Sequence, residues 1–253
     1  MPTLGDHLLV ALIAVVYPLY FTLDWHRRLR PQLETGTAQS RLHFYRRSMI
    51  ELWLLTPVVL SWWLWSGRAV ATLGLGVRGG LAFWIGAIVV VAVATGLGLQ
   101  VALVRSSAQA RAQVRKQFQG ISALMLPRDS RERRLWVAVS LTAGFCEEVI
   151  YRGFLMWYLM MWLPQAAAVV VSAVVFGLAH LYLGWAVGVL PATVVGVVLG
   201  VGYLLTGTLW LPIALHAIVD VTSGLTGSAA LEQCTPLTCQ PPVGEGEQPN
   251  LRQ

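Results

Sequence analysis

The chain has 253 residues, of which 56% are hydrophobic and only 12% charged. A soluble domain carries about 25% charged residues, so an ordinary water-facing globular domain is excluded. The net charge of +6 would point to nucleic acid in a soluble protein. Here the basic residues gather in two stretches beside apolar runs, where membrane topology accounts for them, and no nucleic-acid partner is expected.

Residues 8–23 form an apolar run that begins after Asp6 and His7. It lacks the basic leader and small-residue cleavage site of a signal peptide, so it reads as a retained first span. A basic loop, 24–48, follows with Arg27, Arg28, Arg30, Arg41, Arg46 and Arg47. Residues 49–67 make a second span, closed by Trp62, Trp63 and Trp65 in the manner of a membrane interface. Residues 81–104 carry no charge at all and make the third.

The second basic loop, 105–134, holds Arg105, Arg111, Arg115, Lys116, Arg128, Arg131, Arg133 and Arg134. Its stretch from Ala108 to Ile121 has scattered apolar positions and reads as a surface helix against lipid headgroups. From Leu135 to Gly227 the chain is almost continuously apolar, punctuated by Pro164, Gly184 and Gly207. It divides into spans at 135–158, 165–183, 185–206 and 208–227. The expected fold is all-α: a polytopic transmembrane bundle of seven spans, or eight if 149–163 is a separate or re-entrant helix, around an internal polar cavity.

Three regions result: an N-terminal membrane region 1–134, a helical core 135–227, and a polar tail 228–253 that reads as disordered. Cys234 and Cys239 sit in the tail and would bridge only in an oxidising compartment. With both basic loops cytoplasmic, the N-terminus lies outside. In a bacterium this multi-pass protein would sit in the inner (plasma) membrane. No tandem repeat is visible, which weighs against an inverted-repeat transporter.

Inside the core the titratable acids, bases and imidazoles are Glu147, Glu148, Arg152, His180, His216 and Asp220. A charge at the bilayer centre costs roughly 2.5–3.5 kcal/mol on insertion scales, and such residues face cavities and mark function. Glu148 and Arg152, four apart, share a helix face in the favourable acid-first order. Glu147 is turned about 100° away, so it is expected to be free as a base. Phe176 and His180 share a face, and Gly177 permits a close helix neighbour. His216 and Asp220 are again four apart, and the carboxylate is expected to fix the imidazole. Cys146 reads as a small hydrophobe in an apolar helix. Structural neutralisation or helix pairing explains any one of these groups; the three together point to a site.

Glu147-Glu148-Val149-Ile150-Tyr151-Arg152 has the form EExxxR, Phe176 to His180 the form FxxxH, and His216 to Asp220 the form HxxxN/D. In order and separation they resemble the CPBP family, the CAAX prenyl endopeptidases and bacteriocin-processing relatives also called Abi, over residues 135–225. The resemblance implies an intramembrane endopeptidase acting on a membrane-associated peptide or protein. It implies that Glu147 activates water with help from His180, and that His216 and Asp220 stabilise the oxyanion. Glu148 and Arg152 would then shape the site. Where Asn could donate to an oxyanion, an ionised Asp220 would repel it, so Asp220 is either protonated or orients His216. No cofactor is expected; zinc is the less favoured alternative, suited by the two histidines with Glu147 or Asp220, though there is no HExxH helix. The competing function is a non-catalytic immunity or scaffold protein that uses the same pocket for binding, and a further one is proton or ion transport. The other expected partner is the lipid bilayer itself.

Overall fold

A computed structural model of the chain describes residues 1–76, 79–118 and 120–232. Cys234, Cys239 and nearly all of the tail lie outside the described residues. Among the described residues every regular element is helical. Helix α1 is Leu4–Glu34, α2 is Ala38–Trp65 and α3 is Leu81–Ser106. Two short helices follow, α4 at Ala108–Arg115 and α5 at Ile121–Met125. Helix α6 covers 130–159 as an α-helix Ser130–Glu147, a π-helical segment Glu148–Leu155 and a last turn Met156–Leu159. Then come α7 at Gln165–Leu178, α8 at Trp185–Thr206 and α9 at Trp210–Leu231.

Helices α1, α2, α3, α8 and α9 are long and apolar enough to cross a membrane, and α7 is apolar but shorter. Helix α6 falls outside that set and carries Glu147, Glu148 and Arg152 in its middle. Residues 149–159 continue the helix that begins at Ser130 rather than forming a separate one. The last helix runs on to Leu231, four residues past the boundary read from the sequence.

The first basic stretch is not a loop. Helix α1 continues through it to Glu34, a turn at 35–37 reverses the chain, and α2 starts at Ala38. Gly36 sits at φ 67 in that turn, where a side chain would be strained. The Thr37 hydroxyl caps α2 by accepting from Ser40 N at 3.2 Å. Arginine, leucine and glutamate propagate helix well, and salt bridges absorb the charge: Arg47 reaches Asp24 and Glu51, both at 2.7 Å.

The prolines of α1 and α8 have a local remedy. Pro18, Pro31 and Pro191 each follow a π-helical turn, at Leu12–Val16, Trp25–Leu29 and Trp185–Val189. A proline has no N–H and its ring collides with the carbonyl four residues back. A widened turn just before it removes that collision without ending the helix.

The second basic stretch differs from expectation too. Its surface helix stops at Arg115 and does not reach Ile121. Val114 is buried beside Ala229 and Ala230, while Arg115 Nε donates to the Ala230 carbonyl at 2.9 Å. A cation on the last carbonyls is a favourable helix end, so α4 anchors α9 as well as covering it. The tryptophans closing α2 also divide: Trp65 is 86% exposed, Trp63 is buried, and the Trp62 indole donates to Asp6 at 3.0 Å. Asp6 is further gripped by Arg68 through two bonds.

At the other end of the bundle, Arg41 of α2 makes a bidentate pair with Glu132 of α6, both bonds at 2.8 Å and both side chains buried. This pair brings the two basic stretches to the same end of the molecule. Helix α6 begins there on an N-cap, with the Asp129 carboxylate accepting from Glu132 N at 2.8 Å. Asp129→Ala should therefore lower stability by about 1 kcal/mol, read as a fall in the thermal midpoint in detergent, whereas Asp129→Ser should hold most of it.

Helix α6 is the element around which the rest is arranged. It packs on α2 and α9, and its π-helical segment reaches α7 and α8. Gly144 lets α9 approach: a Cβ there would come within 3.0 Å of Ala217 N and of the Ile213 carbonyl. Gly177 does the same between α7 and α8, where a Cβ would lie 2.8 Å from the Val189 carbonyl.

Candidate active site

The acids sit where α6 changes from α to π winding, between Glu147 and Glu148. A π-helical turn inserts a residue into the helical register and is frequent at functional sites. Here neighbouring acids are sent in different directions. Glu148 is fully buried and Arg152, also buried, donates to its Oε1 at 2.7 Å. Glu147 is turned to a cavity of about 400 Å³ and is not among the partners of Arg152. Glu148 is the acid that pairs with Arg152, as the spacing of four predicts, while Glu147 Oε2 lies 3.7 Å from His216 Nε2.

Arg152 is closely packed, although its Nη2 has no hydrogen-bond partner among the described residues. Its guanidinium lies 4.4 Å from the centre of the Phe176 ring, a favourable cation–π contact. A Cβ at Gly196 would come within 3.2 Å of one of its terminal nitrogens. Tyr151 stacks edge-on to Phe176 at 5.1 Å, and Ser172 donates to the Tyr151 carbonyl at 3.0 Å. Phe176 of the FxxxH motif is thus the floor on which Arg152, His180 and His216 rest, with ring centres 4.9 and 5.8 Å away for the two histidines.

His180 follows the last turn of α7. Its Nδ1 lies 2.9 Å from the Phe176 carbonyl. A carbonyl can only accept, so Nδ1 carries the proton and Nε2 of the neutral ring is left as an acceptor.

His216 departs from expectation. Its Nδ1 is 2.8 Å from Glu148 Oε1, while its Nε2 is 3.7 Å from both Glu147 Oε2 and Asp220 Oδ2. A separation of 3.7 Å is not a hydrogen bond. Glu148 on α6, rather than Asp220 one turn along α9, is the carboxylate that orients this imidazole. Helical spacing aligned His216 with Asp220, but a bond across two helices is invisible to spacing within one. The Asp220 side chain stays 39% exposed, and its backbone carbonyl accepts from the Trp136 indole at 2.9 Å.

Glu147, His180, His216 and Asp220 all line the one cavity, whereas Glu148 and Arg152 stand behind it. Most of the wall is aromatic or aliphatic, including Tyr17, Phe21, Tyr45, Trp136 and Tyr182. These residues carry no motif, and only the packing of α1, α2 and the turn after α7 against α6 brings them together. Tyr151 alone could have been suspected, as a polar ring inside EExxxR. Cys146 is buried and takes no part in the wall. Among the described residues, no three His, Cys, Asp or Glu side chains converge on a point that a metal ion could occupy.

No curated protein and no solved structure matches the chain. A family model described as type II CAAX prenyl endopeptidase Rce1-like matches residues 131–222, the stretch that holds all six of these polar residues. That match is to the same CAAX protease (CPBP) family that the three motifs of this stretch resemble.

Proposed function

We propose that the protein is an intramembrane endopeptidase in which Glu147 activates a water molecule for attack on a peptide bond. The observation that carries this reading is the convergence of Glu147, His180, His216 and Asp220, from α6, the end of α7 and α9, on one cavity. Glu147 and the free Nε2 of His180 are both acceptors, suited to the two hydrogens of a water between them. As the water oxygen bonds to the scissile carbonyl carbon, Glu147 takes the proton. The carbonyl electrons move to oxygen, and an imidazolium N–H at His216 Nε2 stabilises that oxyanion. Collapse of the intermediate returns the proton from Glu147 to the departing amine. Glu148 matches the charge on His216 through the Nδ1 contact, and Arg152 keeps Glu148 in place. Asp220 lies at the open side of His216, where it can steer the imidazole or receive part of the substrate. The substrate is a membrane-associated peptide or protein of CAAX type.

The test is terminal-peptide proteomics on cells carrying the wild type or Glu147→Gln. New chain ends should appear with the wild type and vanish with the variant at equal protein level. Identical sets of ends in the two strains, with biological function retained by Glu147→Gln, would favour a binding protein that uses the same pocket.

A further inference from the structure

The cavity does not stop at Glu147. Along α6 its wall runs through Trp136, Ser140, Ala143 and Glu147, spaced four, three and four apart on one helix face. The polar ends of its aromatic neighbours are already used. The Trp136 indole donates to the Asp220 carbonyl and the Tyr45 hydroxyl to the Met125 carbonyl, so they contribute ring surface. Ser140 is different. It is 2% exposed, and its hydroxyl has no hydrogen-bond partner among the described residues.

A hydroxyl inside a helix commonly donates to the carbonyl four residues back. Ser48, Thr95 and Thr222 do so here, at 3.0, 2.9 and 2.6 Å. Ser140 does not. A buried hydroxyl left unpaired costs free energy; Ser140 lies in the wall of the cavity that holds Glu147, and since its oxygen is covered, a turn about χ1 is needed to bring it to that space. Seven residues of helix place Ser140 about 10 Å from Glu147 along the axis. An extended peptide advances about 3.3 Å per residue, so that distance is about three residues of bound chain.

We propose that Ser140 hydrogen-bonds the main chain of the bound peptide about three residues from the scissile bond, with the side chain there lying against the Trp136 and Tyr45 rings. This rests on the endopeptidase reading above. A hydroxyl both donates and accepts, so it serves a substrate N–H or C=O without reading sequence. The result is a preference for length and for an apolar side chain at that position.

Two fluorescein-labelled peptide ladders test it, built around one farnesyl-Cys–Val bond and lengthened by single valines on the N-terminal or the C-terminal side. Their affinity for the full-length Glu147→Gln protein in detergent is read by anisotropy, and their cleavage by the wild type is followed in parallel. Affinity should step up at the third residue of one ladder, which gives the direction in which the peptide lies. Ser140→Ala should remove about three- to tenfold of that step, the worth of one neutral hydrogen bond, and Ser140→Thr should retain it. An unchanged step in Ser140→Ala, as for a hydroxyl that holds only a water, overturns the proposal, and so does failure of both ladders to bind. A length step lost in Ser140→Ala without cleavage by the wild type upholds the subsite and sinks the endopeptidase reading instead.

Discussion

Glu147→Gln in the purified, reconstituted protein should reduce peptide cleavage by about 10²- to 10⁴-fold, the range a general base supplies, with the thermal midpoint almost unchanged. The substitution keeps size and removes only the ability to take a proton. Nothing in the fold leans on that ability, because among the described residues Glu147 has no hydrogen-bond-length partner and its nearest basic atom, His216 Nε2, is 3.7 Å away. His180→Ala should lose a comparable factor of about 10² with a small structural cost, since the one side-chain hydrogen bond it makes among the described residues is to a carbonyl of its own turn. Kinetics and thermal unfolding on the same preparations decide the matter. Cleavage that survives both substitutions would remove the water-activation mechanism. A large fall in midpoint for Glu147→Gln would make that acid a structural group.

The pairing of the six polar residues was partly legible in the sequence, and the limit has a physical form. A spacing of four within one helix foretold the Glu148–Arg152 pair, and it is made at 2.7 Å. The same spacing foretold His216 with Asp220, which stay 3.7 Å apart. Both pairs share a helix face, but Glu148 from another helix comes closer to His216 and outcompetes Asp220. The π-helical turn that begins at Glu148 could not be read from apolarity either, yet it begins where the two acids part. Around the site, the apolar run 81–104 appears as α3 nearly to the residue, because an uncharged stretch of that length has few alternatives in a membrane. The arginine-rich stretch 24–48 failed as a loop because its charge is neutralised by Asp24, Glu51 and Glu132, two of which lie outside it in sequence. The aromatic half of the cavity left no local signal, being assembled from α1, α2, α6 and the turn after α7.

Arg152→Met should destabilise the protein by about 3–5 kcal/mol, the usual consequence of removing one partner of a buried ion pair. Glu148 is 0% exposed and Arg152 1%, so neither charge can recover its loss from water. Glu148→Gln should cost a similar amount, because it leaves the guanidinium buried with only the Phe176 ring face and a neutral amide. The double variant is the informative one. A buried pair replaced by groups of similar volume is often close to neutral in stability, so Arg152→Met with Glu148→Gln should recover much of what either single change loses. Cleavage should not recover with it. Glu148 also accepts from His216 Nδ1 at 2.8 Å, and a neutral amide there no longer balances a positive imidazole at the moment the oxyanion forms. A double-mutant cycle run on both thermal stability and turnover therefore separates two duties of one carboxylate. Recovery of both readouts would show that the pair is structural neutralisation alone. Recovery of stability with turnover still depressed would assign Glu148 to His216, and through it to the reaction.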